Sequence, residues 1–300
     1  MIFELIKALI IGIIEGITEW LPVSSTGHMI IFNNFVTLNV SPDFWTLFLV
    51  VIQLGAIMAV IVLYFHKLNP FSSRKTPVQR RSTLRLWAKV IIACIPAAII
   101  GGLFDNWFEV HAYNAVVVAA ALIIYGVVFI VVERIKGSRS PASSSNYQGK
   151  HIRTGQSPSS EIADVDNLGF GRAFGVGLFQ VLAVVPGTSR SGSTIMGGRI
   201  LGISREAAAE FSFFLAIPVM FGWSLLKVVK TFLIDHIHLT STEWGVFVVG
   251  IVVAFLVSLV AIRFLMNFIK KHSFEAFGWY RIALGVVVLA FSFLTGTLLL

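Results

Sequence analysis

The 300-residue chain has a single cysteine, Cys94, set inside an apolar run. That excludes an intramolecular disulfide and any cysteine-based metal cluster, and leaves the thiol as a small packing residue. Charge is scarce as well: Asp, Glu, Lys and Arg together make up 13% of the chain, about half their share in a soluble globular domain. Neither the GxxxxGK[ST] phosphate loop nor the GxGxxG fingerprint occurs, so no nucleotide is expected as cofactor or energy source. Acids are the scarcer sign, 15 against 23 Lys and Arg, for a net charge of +8. The basic excess lies in short loops between apolar runs and forms no module of the kind that binds nucleic acid. The first apolar run contains Glu4 and Lys7 and leads into further acids instead of a small-residue cleavage site. It is therefore expected to be retained and not removed as a leader.

What the chain has in abundance is apolar length: 56% hydrophobic residues and a mean hydropathy of +0.86. Runs at about 44–65, 87–104, 113–133, 205–230, 244–268 and 277–298 are each long enough to cross a bilayer. The loop 66–89 carries seven Lys or Arg and no acid, whereas the connector 105–112 carries two acids and no Lys or Arg; the first belongs inside and the second outside. Residues 137–167 are rich in Ser and Gly and read as a flexible cytoplasmic linker. Segments 1–43 and 169–203 are too polar, and too broken by Pro22, Gly27, Pro42 and Pro186, to be ordinary spans. Each is expected to be a re-entrant hairpin, which requires a buried or wet cavity around its non-helical backbone. The expected fold is an all-α integral membrane protein with six transmembrane helices plus two re-entrant helical hairpins. Each half reads hairpin, span, span, span, so the halves (1–136 and 168–300, joined by 137–167) form an inverted-topology repeat. GIIEGITEWLPVSS parallels GLFQVLAVVPGTS, with Gln180 where Glu15 stands and Pro186 where Pro22 stands. In such folds the two broken hairpins meet near the bilayer midplane and build the site between them.

The chemistry concentrates in these hairpins. In GIIEGITEWLPVSSTGH, residues 12–28, Glu15 and Glu19 are one helical turn apart and would share a face. Ionisable groups at membrane depth call for a functional explanation; here the choices are general base, general acid or shared ligands of a divalent cation. The turn after Pro22 offers Ser24, Ser25, Thr26, Gly27 and His28, and the His28 imidazole is close enough in sequence to reach Ser25 or a common substrate. From the second hairpin, PGTSRSG presents Arg190, a planar fork suited to phosphate, among Gly187, Ser189, Ser191, Gly192, Ser193 and Thr194. Glu210 is expected to support the site or to pair with Arg205, and Arg281, beside Trp279 and Tyr280, to anchor its helix at the membrane interface.

EGITEWLPVSSTGH and PGTSRSG, in that order in a multi-span chain of this size, resemble the bacterial undecaprenyl-diphosphate phosphatase (bacitracin-resistance) family. The likeness also covers AEFSFFLAIP and the Tyr280–Arg281 region, and fails only in the 137–167 linker, which is longer than the family's usual loop. What it implies is hydrolysis of undecaprenyl diphosphate to the monophosphate and inorganic phosphate, recycling the lipid carrier for peptidoglycan, in the bacterial inner membrane with the site open to the periplasmic face. By matched position, the family's glutamates are Glu15 and Glu19, its hydroxyl and histidine are Ser25 and His28, and its phosphate arginine is Arg190. The nucleophile stays open among Ser25, His28 and water; Ser24, Thr26, Gly187, Ser189, Ser191 and Thr194 would line the phosphate site, and Glu15 and Glu19 could hold Mg²⁺ or Ca²⁺. The partners implied are a polyprenyl diphosphate and membrane lipids, with a homodimer kept open. Broken hairpins in an inverted repeat also describe secondary transporters, so a polyprenyl-phosphate transporter or flippase is the alternative reading.

Overall fold

The computed structural model describes residues 1–35, 37–112, 114–137 and 161–295. Among them every long element is a helix, and β-structure is confined to isolated bridge residues, with Ile162 pairing to Ile203. Six helices are long and apolar enough to cross a membrane: Pro42–Leu63 (α3), Pro77–Phe104 within the longer helix Pro77–Ala112 (α5), Ala115–Lys136 within Ala115–Gly137 (α6), Arg205–Ile234, whose α-helical part is Arg205–Val229 (α9), Ser241–Lys271 (α10) and Glu275–Thr295 (α11). They coincide with the six predicted spans; residues 113 and 296–298 of the third and sixth lie outside the described residues. The remaining helices are α1 (Ile2–Thr18) and α2 (Ser25–Phe35), the single turn α4 (Phe65–Leu68), and α7 (Phe170–Val181) and α8 (Arg190–Ile200).

Local chemistry sets where these helices begin. Ser41 caps α3 by accepting from the Phe44 N–H at 3.3 Å, with Pro42 behind it where no amide partner is needed. The Ser41 amide and hydroxyl both donate to Glu243 Oε1, at 3.1 and 2.8 Å. Glu243 Oε2 meanwhile closes a capping box with Thr240 at the start of α10. One carboxylate thus staples the starts of two spans from opposite halves of the chain.

The packing is interleaved. Helix α1 lies along α10, and α7 lies along α5. Exchanging α1, α2, α3, α5 and α6 with α7, α8, α9, α10 and α11 also carries α3/α10 onto α9/α5 and α2/α11 onto α8/α6, and returns α3/α9 and α6/α11 to themselves. Each hairpin is therefore seated on the other half's second span. Small residues permit this approach: a Cβ at Gly16 would come within 2.8 Å of the Val257 side chain, and one at Gly177 within 2.2 Å of the Ala93 carbonyl oxygen.

Two predicted boundaries move. Basic residues expected in a loop up to 89 stand partly on helix, since α5 already begins at Pro77. Of the 137–167 linker, residues 138–160 lie outside the described residues, but 161–167 belong to the packed structure. Ile162 pairs with Ile203, Val165 is fully buried, Glu161 meets Arg199 at 2.8 Å, and the Lys89 ammonium donates to the Val165 and Asp166 carbonyls at 3.2 and 2.8 Å. Apolar residues spaced among acids gave this strip both a core face and cationic partners on α5 and α8.

Candidate active site at the meeting of two hairpins

Both hairpins turn by the same device. Helix α1 ends at Thr18, a short non-helical stretch carries Pro22, and Ser24 adopts φ 72° before α2 begins. Helix α7 ends at Val181, a 3₁₀ turn and Pro186 follow, and Ser189 adopts φ 70° before α8 begins. A positive φ is costly for a residue with a side chain, and each serine offsets it in the same way. Ser24 Oγ accepts from the Gly27 amide at 3.4 Å, and Ser189 Oγ from the Gly192 amide at 3.1 Å. Matching the two caps places Ser25 and Arg190 at equivalent first positions of their helices. It also sets Glu15 and Gln180 at the same distance, nine residues, ahead of the cap. Gly187, at φ 89°, completes the second turn against the Val118 carbonyl oxygen, which would lie 2.5 Å from any Cβ.

The two helix starts are joined by one carboxylate. Glu19 Oε1 accepts from Arg190 Nη2 at 2.8 Å, and Glu19 Oε2 accepts from Ser25 Oγ at 3.3 Å. Both ends of the ion pair are shielded, with side-chain exposures of 10% for Arg190 and 6% for Glu19. An anion between two helix N-termini is favoured by the exposed amide dipoles of both. Arg190 is held from its other side by Nη1, which donates to the Ser212 carbonyl at 3.0 Å, and its guanidinium carbon lies 5.8 Å from the centre of the Trp20 ring. Its Nε is buried without a partner among the described residues. Glu15, one turn before Glu19, is buried in the field of Glu19 and Arg190, and its Oε1 also has no partner among the described residues.

His28 stands differently from the expectation. Its Nδ1 lies 2.7 Å from the Ser24 carbonyl oxygen, which can only accept, so the proton is on Nδ1. Its Nε2 lies 2.7 Å from the Tyr280 hydroxyl. Both ring nitrogens are thus engaged, and the group within reach of the Ser25 hydroxyl is Glu19. The hydroxyls expected to line a phosphate are largely spent on the hairpins themselves. Ser191 Oγ donates to the Glu19 carbonyl at 3.0 Å, Ser193 Oγ to the Arg190 carbonyl at 3.0 Å, and Thr194 Oγ1 to the Arg190 carbonyl at 2.9 Å while meeting Ser212 Oγ at 2.7 Å. Of Thr26 only the backbone, in the first turn of α2, is among the described features.

Arg281 is the main residue that sequence reasoning misplaced. It is fully buried, not an interfacial anchor: Nη1 donates to the Pro22 carbonyl at 3.2 Å, and Nη2 to the Gly187 and Thr188 carbonyls at 2.9 Å each. One guanidinium from α11 clasps both turns. Ser212 and Trp20 likewise enter the site without having been singled out, and Tyr280, noted in the sequence only as the neighbour of Arg281, meets His28. Glu210 pairs with Lys67 at 3.0 Å, and Arg205 instead meets Glu133 at 2.7 Å.

The fold and site define a multi-pass membrane protein in which two hairpins bring a carboxylate, a hydroxyl and a guanidinium together at a pair of helix N-termini. The family model of the bacitracin resistance protein BacA matches residues 8–287, and the chain belongs to this family. It is 51% identical over 288 residues to the undecaprenyl-diphosphatase of Streptococcus thermophilus (strain ATCC BAA-250 / LMG 18311), covering 96% of this chain and 93% of that protein. It is 48% identical over 285 residues to the undecaprenyl-diphosphatase of Enterococcus faecalis (strain ATCC 700802 / V583), covering 95% and 96%. The undecaprenyl-diphosphatase of Streptococcus suis (strain 05ZYH33) is 50% identical over 295 residues, covering 98% and 99%.

Proposed function

We propose that the chain hydrolyses undecaprenyl diphosphate to undecaprenyl phosphate and inorganic phosphate. The observation that carries this reading is the Glu19 carboxylate, shared between the Ser25 hydroxyl at 3.3 Å and the Arg190 guanidinium at 2.8 Å. An incoming diphosphate competes with Glu19 for Arg190 and for the two helix N-termini. As Arg190 turns to the phosphate, the Glu19 carboxylate is released to take the proton of the Ser25 hydroxyl it already binds. Ser25 Oγ then attacks the terminal phosphorus. The bond to the lipid monophosphate breaks, the Oγ proton passes to Glu19, and Glu19 returns it to the departing phosphate oxygen. Water attacks the resulting phosphoserine with Glu19 as base, inorganic phosphate leaves, and Ser25 recovers a proton. Arg190 stabilises the charge on the transferring phosphoryl group throughout.

His28 serves in this scheme by holding the Ser24 carbonyl through Nδ1, which fixes the turn carrying Ser25. The donor set also fits a hard cation: Glu15 Oε1 is a buried oxygen without a partner among the described residues, beside the second carboxylate, Glu19. Glu15 and Glu19 would hold Mg²⁺ or Ca²⁺, which would neutralise diphosphate charge. A pairing of nucleophile and base favours hydrolysis over transport. The matched caps and exchanged packing support an inverted repeat with two re-entrant hairpins, and membership of the bacitracin resistance family supports a bacterial inner-membrane setting with the site open to the periplasmic side.

The test is phosphate release from a polyprenyl diphosphate by purified protein and by the Arg190→Ala, Glu19→Gln and Ser25→Ala variants. Loss in all three is expected; unchanged release in the first two would overturn the phosphatase mechanism. Release surviving in Ser25→Ala alone would replace the serine with a water held by Glu19.

A further inference from the structure

A second polar concavity lies away from the hairpins, where α3 ends. After Leu63 the chain makes the turn α4 and an irregular loop before α5, and these border an open cavity of about 360 Å³ whose lining includes His66, Lys67, Arg74, Lys75, Thr83 and Asp166. Its lining carries Lys67, Arg74 and Lys75 against the single acid Asp166. Lys67 is met by Glu210 at 3.0 Å and Asp164 at 3.6 Å. Arg74 makes no ion pair among the described residues, and the Lys75 ammonium finds only neutral oxygens, the Lys67 carbonyl at 2.9 Å and Thr83 Oγ1 at 2.6 Å. Burial draws the Lys75 ammonium below the usual lysine range despite the opposing pull of Asp166, the one acid in the lining. A loop whose cations served only to set orientation would leave them extended into water; here Lys75 and Thr83 are folded into a concave wall.

The surroundings say from which side a ligand would come. Phe65, Phe71 and Val78, at 51%, 86% and 76% exposure, adjoin the lining residues His66, Ser72 and Gln79 in the chain, beyond the end of the membrane-spanning helix α3. Trp87 Nε1 donates to the Leu68 carbonyl at 2.8 Å, the placement of an aromatic at a membrane interface. Exposed apolar side chains around a cationic concavity match the level at which acyl chains give way to headgroups.

We propose that this cavity binds the phosphate headgroup of an anionic membrane lipid, with Arg74 and Lys75 as its principal ligands. No residue of the hydrolytic site takes part. The ligand chemistry is a phosphate oxyanion, and the source is a bilayer lipid instead of free phosphate.

The experiment uses the full chain in nanodiscs of phosphatidylcholine doped with phosphatidylglycerol, counting retained lipid by native mass spectrometry. Phosphatidylglycerol should be retained over phosphatidylcholine. Arg74→Gln should weaken retention about fivefold, and Arg74→Gln with Lys75→Gln about thirtyfold. Lys271→Gln makes the same charge change at the exposed end of α10 and should leave retention unchanged, as should all three variants the rate of phosphate release. Equal retention in Arg74→Gln and the parent would overturn the proposal, as would an equal loss in Lys271→Gln. Displacement by millimolar inorganic phosphate would assign the site to the free anion and overturn the lipid reading. Should loss of the Lys75 bonds disturb the loop, Arg74, which makes none of them, still decides the question.

Discussion

Replacing Arg281 tests whether the catalytic geometry depends on a residue far from the two signature motifs. Arg281→Met removes three hydrogen bonds, to Pro22, Gly187 and Thr188. Each buried carbonyl left unpaired costs about 1–3 kcal/mol, whereas no longer burying a guanidinium recovers several. These terms largely offset, so a net loss of about 1–4 kcal/mol is expected, a drop of several degrees in Tm that leaves the fold intact. The effect on chemistry should be larger than on stability. Without the clasp the Pro22 and Gly187 turns are free to shift relative to each other, and a displacement of about 1 Å between reacting groups costs on the order of 100-fold in rate. Arg281→Lys, a single ammonium without the fork that serves both turns at once, should retain part of the function, with kcat reduced about tenfold. In both variants KM should change little, because Arg190 still receives the diphosphate. The assay is steady-state phosphate release in detergent micelles, paired with thermal melts of the same preparations. Wild-type kcat in Arg281→Met, or a loss falling entirely on KM, would refute the positioning role.

Glu19→Gln leaves Arg190 buried without its counter-charge and should lower stability by about 3–5 kcal/mol. Adding Arg190→Met should restore part of that loss, so a double-mutant cycle in thermal melts is expected to be strongly non-additive. Gly177→Ala puts a methyl 2.2 Å from the Ala93 carbonyl oxygen, and separating α7 from α5 should cost about 1–3 kcal/mol, read as a lower Tm. Chelation should reduce phosphate release and Mg²⁺ or Ca²⁺ should restore it, with Glu15→Gln raising the metal concentration needed; activity indifferent to chelator would remove the metal from the scheme.

The parts of this fold written in long-range composition were legible in the sequence. Six spans follow from apolar length, and the meeting of Glu19 with Arg190 follows from two charges that need each other inside a membrane. Backbone carbonyls leave no such trace. Arg281 binds three of them, and its neighbours Trp279 and Tyr280 imitate the aromatic belt of an ordinary helix end, so its burial could not be read. Glu210 and Arg205 face apart for a related reason: both lie near the start of α9, but Lys67 and Glu133 arrive from other helices and take one each. The parallel between the hairpins was visible through Pro22 and Pro186, yet the structurally equivalent positions are the caps Ser24 and Ser189. A Pro lies two residues before the first cap and three before the second, and only the shared positive φ reveals the better match.

The seating of each hairpin on the opposite half has a consequence for how the protein is made. Helix α1 rests chiefly on α10, and Glu19 faces Arg190, so when the ribosome has delivered the first 136 residues the first hairpin has neither its main support nor its counter-ion. Two carboxylates then wait in a nascent bundle with no arginine to meet them, a state that is costly in hydrocarbon. The second hairpin meets no such delay, because α5 is already in place when α7 emerges. Assembly must therefore close backwards, with the last spans arriving to bury the first residues synthesised, and the enzyme gains its site only when nearly the whole chain has entered the membrane.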